Sequence, residues 1–484
     1  MGKLFYKNLN LYLLLIFLVF CFMFTTVNLQ VLSSDYGVYY ANAMFLSDEY
    51  KLYDEAFDHK GPVFYLFIIV VSKIFGWGNY STFLPILISS LLFLLSFLFF
   101  LKNIKINNKN KIFLLSFASI ACFFNQYGNA SIVFFTSSLI LFYLSFLIKF
   151  NNLRTIKYYF FSVLFLSLAI LTRFDFIIFL LLIILQLIYF NKDIKTRILC
   201  FVIFLVVFFA VYTFLFLYFG YKNELFLKTN VIFNFLYSSK NEINFLSHFH
   251  KPDSVKIFFG SGIGVLLFII INQMIYKIKG LKKRILLKKF EKIFFLSFFT
   301  FFLFFVLFLV PKLDQNHYAL HLNVGSLILS SVLMKYVNIK RIFIFPILSI
   351  FLYSIFSHTL KPTINFFKTY GCIKRIDCPS FSSFKDTIDD VKNYNNVAVI
   401  HGNGWINILS NTPPKISLVN WPMMENNKIG NFFNQVNYSK EELLKKGQVI
   451  WLRNSLYKKY LNSSINQNHK IIDKQSSYIK IQIN

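Results

Sequence analysis

Long apolar runs separated by short basic stretches fill the first three quarters of the chain. Taking about 20 apolar residues as the length that crosses the hydrocarbon, about eleven segments read as spans, some with ragged ends. They run 10–32, 80–101, 112–124, 130–148, 158–172, 176–190, 198–219, 255–275, 293–310, 319–334 and 342–357. The stretch 32–79 between the first two is too long for a mere connector. Beyond residue 361 the pattern changes to polar and mixed. There Val397 to His401, Lys415 to Asn420 and Gln448 to Arg453 read as short strands. Ser439 to Gly447 reads as a helix, opened by a Ser439/Glu442 capping-box pattern and stopped by Gly447. The predicted architecture is a polytopic all-α membrane protein of about 11 transmembrane helices over residues 1–360, then a small α/β domain over residues 361–484. No internal repeat is visible.

Charge sharpens this picture. The 484 residues carry 50 Lys and Arg against 21 Asp and Glu, a formal net charge of +29. The cations fall at Lys3 and Lys7, Lys102 to Lys111, Lys149 to Lys157, Lys192 to Arg197, Lys277 to Lys292 and Lys335 to Arg341, stretches whose only acids are Asp193 and Glu291. That is the positive-inside signature of cytoplasmic loops, not the clustered basic face of a nucleic-acid binder. It sets the N-terminus inside and, with an odd span count, the C-terminal domain outside. The outward loops are then 32–79, 125–129, the turn Arg173 to Asp175, 220–254, 311–318 and everything after 358. The first span follows two lysines as a signal peptide would, but it outruns the usual h-region. No small-x-small pattern precedes Asp35, so it reads as a retained anchor. Richness in Lys, Asn, Ile and Phe, with 66 Phe, is a compositional bias. Cys21, Cys122 and Cys200 lie in spans as small apolar fillers. Cys372 and Cys378 lie beyond the last span, where a disulfide can persist; bridged and free states both fit the sequence.

The acids gather on the other side, in the first outward loop. Asp35, Asp48, Glu49, Asp54, Glu55 and Asp58 all precede Lys60 there. Ser34 is placed to cap a short helix with Asp35 and Tyr39 one turn apart on one face. A carboxylate at a membrane edge suits a general base toward a hydroxyl, although a lone Asp35 also fits a helix cap or interfacial anchor. Lys60-Gly61-Pro62 opens an apolar helix closed by Gly76, lying in or dipping into the interface. The Lys60 ammonium beside free N–H groups of Val63 and Phe64 makes an anion site; a snorkelling lysine before an ordinary proline start is the plainer reading. Arg173, Lys312 and His317 are candidate companions for Lys60, and Arg173 equally fits an ion pair with Asp175. His317 and His321 stand four apart at the start of a span. Two histidines are too few for zinc, which leaves a hydrogen bond to phosphate or simple anchoring. Asp58 and His59 together with Asp35 would also suit a divalent metal, with no ligand set fixed by spacing. His401-Gly402-Asn403-Gly404-Trp405 is assigned a fold role, since its G-x-G lacks a nucleotide-binding context.

Three strings, D-Y-G-V-Y (Asp35 to Tyr39), H-K-G-P-V (His59 to Val63) and I-F-G (Ile74 to Gly76), together resemble the GT-C class of membrane glycosyltransferases. The likeness is to the protein O-mannosyltransferase and aminoarabinose transferase branch. The tail N-N-V-A-V-I-H-G-N-G-W-I-N-I-L-S-N-T-P-P (Asn395 to Pro414) looks like the outer domains of bacterial members. Gly61 stands where the family has the first proline of its K-P-P motif. Asn129, in N-Q-Y-G-N-A, stands where many members carry a second acid that helps to bind metal. The resemblance implies an enzyme in the bacterial inner membrane that moves a hexosyl or pentosyl group from a polyprenyl-phosphate donor to a glycan, lipid or protein acceptor on the outer face. It implies Asp35 as base and Lys60, Arg173 and His317 on the donor phosphate. Tyr39, Asp58, His59, Asn129 and His321 would be in support. Two other readings stay open. An O-antigen or polysaccharide polymerase or ligase would use basic residues of loop 220–254, such as Lys222, Lys228 and His250. A lipid-linked-sugar flippase would call for repeat symmetry and mid-span charge.

Overall fold

The computed structural model describes residues 12–13, 16–21, 23, 34–47, 51–53, 60–78, 81–123, 131–180, 183–184, 193–233, 316–334, 384–394, 398–400, 405–412, 449–454, 469–475 and 477–484. The helices are α1 (Ser34–Leu46), α2 (Pro62–Phe75), α3 (Leu84–Ile104), α4 (Asn108–Phe123), α5 (Ser131–Leu153), α6 (Ile156–Thr172), α7 (Ile194–Phe219), α8 (Asn223–Leu227) and α9 (Asn316–Met334). Among the described residues α3, α5 and α7 are long and apolar enough to cross a membrane, and α2 and α6 are shorter apolar helices. The spans expected at 80–101, 112–124, 130–148, 158–172, 198–219 and 319–334 all coincide with helices. Those at 255–275, 293–310 and 342–357 lie outside the described residues. One start differs from expectation. After Arg173 the chain tightens into a 3₁₀ turn, Phe174–Phe179, before helical residues resume.

Short turns after α3 and α5 make α3 to α6 an up-and-down bundle whose core is aromatic. Phe93 meets Phe134 at 5.0 Å between ring centroids, and Phe165 stacks on Phe142 at 5.0 Å and on Phe146 at 5.7 Å. Helices in lipid gain little hydrophobic drive from meeting one another, so close packing and polar satisfaction decide the bundle. Buried hydroxyls turn back onto their own helix. Ser119 donates to the Leu115 carbonyl at 2.8 Å, Thr136 to Ile132 at 2.6 Å and Ser167 to Val163 at 2.9 Å. Cys122 and Cys200 are buried, as fillers should be, whereas Cys21 is exposed. Cys372 and Cys378 lie outside the described residues.

The two ends of the bundle differ in chemistry. At one end the Lys149 ammonium lies 4.5 Å from the Phe99 centroid and 5.5 Å from that of Tyr158, and Lys157 sits 5.3 Å from the same Tyr158 ring. Asp193, one of the few acids among the basic stretches, caps α7 by accepting from the Lys195 and Thr196 backbone N–H groups at 3.2 and 3.1 Å. The Asn110 amide at the start of α4 donates to the Met334 carbonyl at 2.7 Å, which fixes the last turn of α9 at this basic end. The first turn of α9 is therefore at the other end, about 28 Å away along 19 residues.

Past residue 384 the described residues form α10 (Lys385–Val391), β1 (Ala398–Ile400), α11 (Trp405–Ser410), β2 (Val449–Arg453), β3 (His469–Lys474) and β4 (Tyr478–Ile483). The sheet order is β1-β2-β4-β3, with β1 and β2 parallel and the other pairs antiparallel. β1 and β2 match two of the expected strands. The expected strand at 415–420 and helix at 439–447 lie outside the described residues. β3, β4, α10 and α11 were not foreseen; β3 and α10 are short and mostly polar, so neither shows a clean apolar period. A half-buried carboxylate ties α10 to the sheet. Asp390 accepts from Lys480 Nζ at 2.8 Å, Trp451 Nε1 at 3.0 Å and Gln475 Nε2 at 3.2 Å. The Lys480 ammonium also lies 5.0 Å from the Tyr394 ring.

Burial pulls the Lys480 ammonium down, but the bond to Asp390 and the contact with Tyr394 outweigh it and the net shift is upward. A raised lysine stabilises the fold fully below its ordinary 10.5 and loses that contribution as pH climbs through the higher folded value. Asp390→Ala is expected to destabilise the sheet by roughly 2 kcal/mol at neutral pH, because it orphans a buried ammonium and an indole N–H. Thermal unfolding followed by Trp451 fluorescence checks this. The deficit against the unsubstituted protein should persist from pH 6 to 9 (roughly, the range in which lysine stays charged) and shrink in stronger alkali.

Candidate functional site

The strongest convergence lies at the end of the bundle opposite the basic turns, where α1, α2, α6 and α7 meet. Gly61 is the N-cap of α2 with Pro62 at its first position, and Gly76 closes the helix with a φ of 86°. Fourteen residues give about 21 Å, short of the hydrocarbon thickness. Both ends of α2 meet the same end of the bundle. The Gly61 N–H donates to the Thr172 carbonyl at 3.0 Å. Ser72 reaches the Tyr40 hydroxyl at 3.2 Å, and Trp77, just past the helix, packs edge-on against Tyr40 at 5.4 Å. α2 therefore lies across the bundle end. Pro62 to Tyr65, Ile68, Ile69, Val71 and Ser72 are buried, while Val70, Ile74 and Phe75 are exposed.

Gly61 is needed for space. Its φ of −75° suits any residue, but a Cβ there would overlap the Leu171 carbonyl oxygen and lie 2.6 Å from the Leu171 carbonyl carbon. A proline would lose the N–H that bonds Thr172. The chain's departure from K-P-P thus follows from how closely two backbones approach. One residue to either side of this bond stand Lys60, buried at 9% exposure, and Arg173, half-buried at the C-cap of α6. The fold brings the backbones of these two predicted cations next to one another.

Aromatic rings hold Lys60 from behind. The Tyr53 hydroxyl donates to the Lys60 carbonyl at 2.8 Å. Tyr53 has a left-handed backbone, φ 66°, unusual for a bulky residue, and its ring meets Tyr221 at 5.5 Å and Phe226 at 5.8 Å. Leu52 N–H donates to Phe219 at the end of α7 at 3.3 Å. Sequence reading passed over Tyr53, Tyr221 and Phe226, since an aromatic residue carries no distinguishing signal in a chain this rich in them.

α1 begins at Ser34, which is its first helical residue rather than its cap, and carries Asp35 and Tyr39 one turn apart as expected. Tyr39 is buried edge-on against Phe64 of α2 at 5.8 Å between centroids. Tyr36 donates to the Thr82 carbonyl, and the Tyr40 hydroxyl pairs with Ser81 Oγ at 3.3 Å. Three tyrosines thus fasten the Asp35 helix to α2 and to the entry of α3. His317 and His321 occupy the first turns of α9, at this same end of the bundle. Asp58, His59, Asn129 and Lys312 lie outside the described residues. Among the described residues no three His, Cys, Asp or Glu gather as a metal-ligand group.

No protein-family model matches the chain, and no curated protein matches it in sequence. Solved structures do match in fold. The crystal structure of ArnT from Cupriavidus metallidurans bound to undecaprenyl phosphate superposes with a TM-score of 0.58 at 11% identity, covering 98% of this chain and 97% of that one. The Archaeoglobus fulgidus oligosaccharyltransferase tethered to an acceptor peptide containing the NVT sequon superposes at 0.50 with 12% identity, over 92% of this chain and 69% of that one. The chain thus shares the fold of these two solved structures.

Gly61→Ala tests the junction directly. The methyl would have to displace backbone, so a loss of about 1–3 kcal/mol in stability is expected, seen as a lowered unfolding temperature of the detergent-solubilised protein. Gly76→Ala serves as the comparison, since nothing lies within 4 Å of a Cβ there and only its φ of 86° is strained.

Proposed function

We propose that this protein is an inverting glycosyltransferase that takes a sugar from a polyprenyl-phosphate donor and passes it to an acceptor hydroxyl at the outer membrane face. The observation that carries the reading is the Gly61–Thr172 backbone bond, which sets Lys60 and Arg173 side by side at the head of α2, next to the helix that bears Asp35. α7 adds support. Its Val206, Phe209, Phe214 and Leu217 are exposed and apolar, and its last residue, Phe219, bonds Leu52 beside the Tyr53–Lys60 contact. A lipid-facing surface thus runs up to the cationic junction, as suits a donor whose tail stays in the bilayer.

The chemistry follows from the donor. The Asp35 carboxylate takes the proton of the acceptor hydroxyl while that oxygen attacks the anomeric carbon. The bond from that carbon to the phosphate oxygen breaks, and polyprenyl phosphate leaves with the electron pair. A phosphate is a stable leaving anion, so no general acid is required, unlike the paired carboxylates of glycoside hydrolysis. Lys60 and Arg173, with His317 at the same end, neutralise the developing charge. Attack from the face opposite the phosphate inverts the anomeric centre. The acceptor is a glycan, lipid or protein of the envelope. In the proposed setting, a bacterial cytoplasmic membrane with the N-terminus inside, the sheet of residues 398–483 lies outside it.

Asp35→Asn in lipid nanodiscs is expected to lower transfer by about 10²–10⁴-fold and leave undecaprenyl phosphate binding unchanged. Transfer at the unsubstituted rate would refute the base assignment. Lys60→Ala is expected to weaken undecaprenyl phosphate binding by about tenfold to a hundredfold, the loss of one charge-assisted hydrogen bond. Binding that does not change would remove Lys60 from the phosphate site.

A further inference from the structure

The motif around Trp405, which sequence reading assigned only to the fold, has two faces. Trp405 and Ile408 are buried in the same apolar cluster as Tyr36, Tyr40 and Met44 of α1 and the bundle core. Ile406, between them in sequence, is buried in a separate cluster with Val391, Val399, Trp451 and Tyr478 of the sheet. At about 100° per residue, positions 405 and 408 lie about 60° apart on one side of a helix, while 406 is at least about 100° from either. α11 therefore joins two cores, and it packs on α1 and on α10.

A helix of six residues does not hold its shape alone. This one is tied off at its C-terminal end: the Thr412 N–H donates to the Asn407 carbonyl at 2.9 Å, and Asn407 Nδ2 returns to the Thr412 carbonyl at 3.1 Å. Asn411 then lies against the turn after α2, where a Cβ on Gly78 would sit 3.7 Å from its Oδ1. α10, the other neighbour of α11, is bound to the sheet through Asp390. α1 is also held at the entry of α3 by Tyr36 and Tyr40. The placing of α1, and with it of its second residue, Asp35, thus depends on the tyrosine bonds and on α11 together.

We propose that Trp405 is a positioning residue, through which the C-terminal sheet presses α11 onto α1 and holds Asp35 in its working position. This rests on Asp35 acting as the base. Lys60 and Arg173 have further holds of their own, the Gly61–Thr172 bond and the Tyr53 bond to the Lys60 carbonyl, so loss of the Trp405 contact should affect turnover more than phosphate binding.

The test uses the full chain in lipid nanodiscs, with hydrogen exchange, undecaprenyl phosphate binding and transfer from undecaprenyl-phosphate-linked sugars of a bacterial lipid extract measured together. In Trp405→Ala the amides of residues 34–46 should exchange about tenfold faster while those of α3 and α5 stay protected. The transfer kcat should fall about tenfold or more, as for a misplaced catalytic group, with undecaprenyl phosphate affinity within about twofold. Trp405→Phe, which keeps an aromatic ring in the cluster, should restore most of both. Unchanged exchange in 34–46, or unchanged kcat, overturns the proposal. So does a loss of undecaprenyl phosphate binding equal to the loss of turnover, which would mark general unfolding. Asp35→Asn run alongside separates the levels: if it keeps full transfer, the base assignment fails. If it is inactive while Trp405→Ala is fully active, only the positioning role fails.

Discussion

The contact on which the site depends is a backbone approach, the N–H of Gly61 against the carbonyl of Thr172 at 3.0 Å. It satisfies a buried donor at the head of α2 and a terminal carbonyl of α6, where an unmade backbone bond is costly. The same bond fixes where two cations stand, because Lys60 and Arg173 are the residues next to it. The Tyr53 bond to the Lys60 carbonyl adds a second hold on the Lys60 backbone.

Tyrosine supplies much of the remaining rigidity at this end. Tyr36, Tyr40 and Tyr53 each bury a ring and place the hydroxyl on a neighbouring segment. Phenylalanine carries out the filling elsewhere, stacked between α3, α5 and α6. The difference is physical: a phenol joins apolar packing with one directional bond, which suits a place where loops must be held as firmly as helices.

The C-terminal sheet is coupled to the bundle through a very small element. α11 puts Trp405 and Ile408 into one core and Ile406 into the other. A short helix with apolar residues on opposite faces cannot satisfy both without a neighbour on each side, so its sequence already requires two partners, although it does not say which.

The sequence by itself determined the helical membrane architecture and the asymmetry of charge between its ends. Apolar length and the placing of Lys and Arg are local properties that lipid and water read directly. It also located the start and stop of α2, from Gly61-Pro62 and Gly76, and put Asp35 and Tyr39 one turn apart. It gave Gly61 no reason beyond tolerance and left Arg173 equally suited to a local ion pair. It missed Tyr53, the 3₁₀ turn after Arg173, β3, β4 and the helix at Trp405. Only the tertiary structure decided these, because each depends on residues distant in the chain: Gly61 on a carbonyl 111 positions away, Tyr53 on rings past residue 220, Trp405 on α1. Hydrophobic periodicity reports which residues leave water, whereas a site is made by which of them meet.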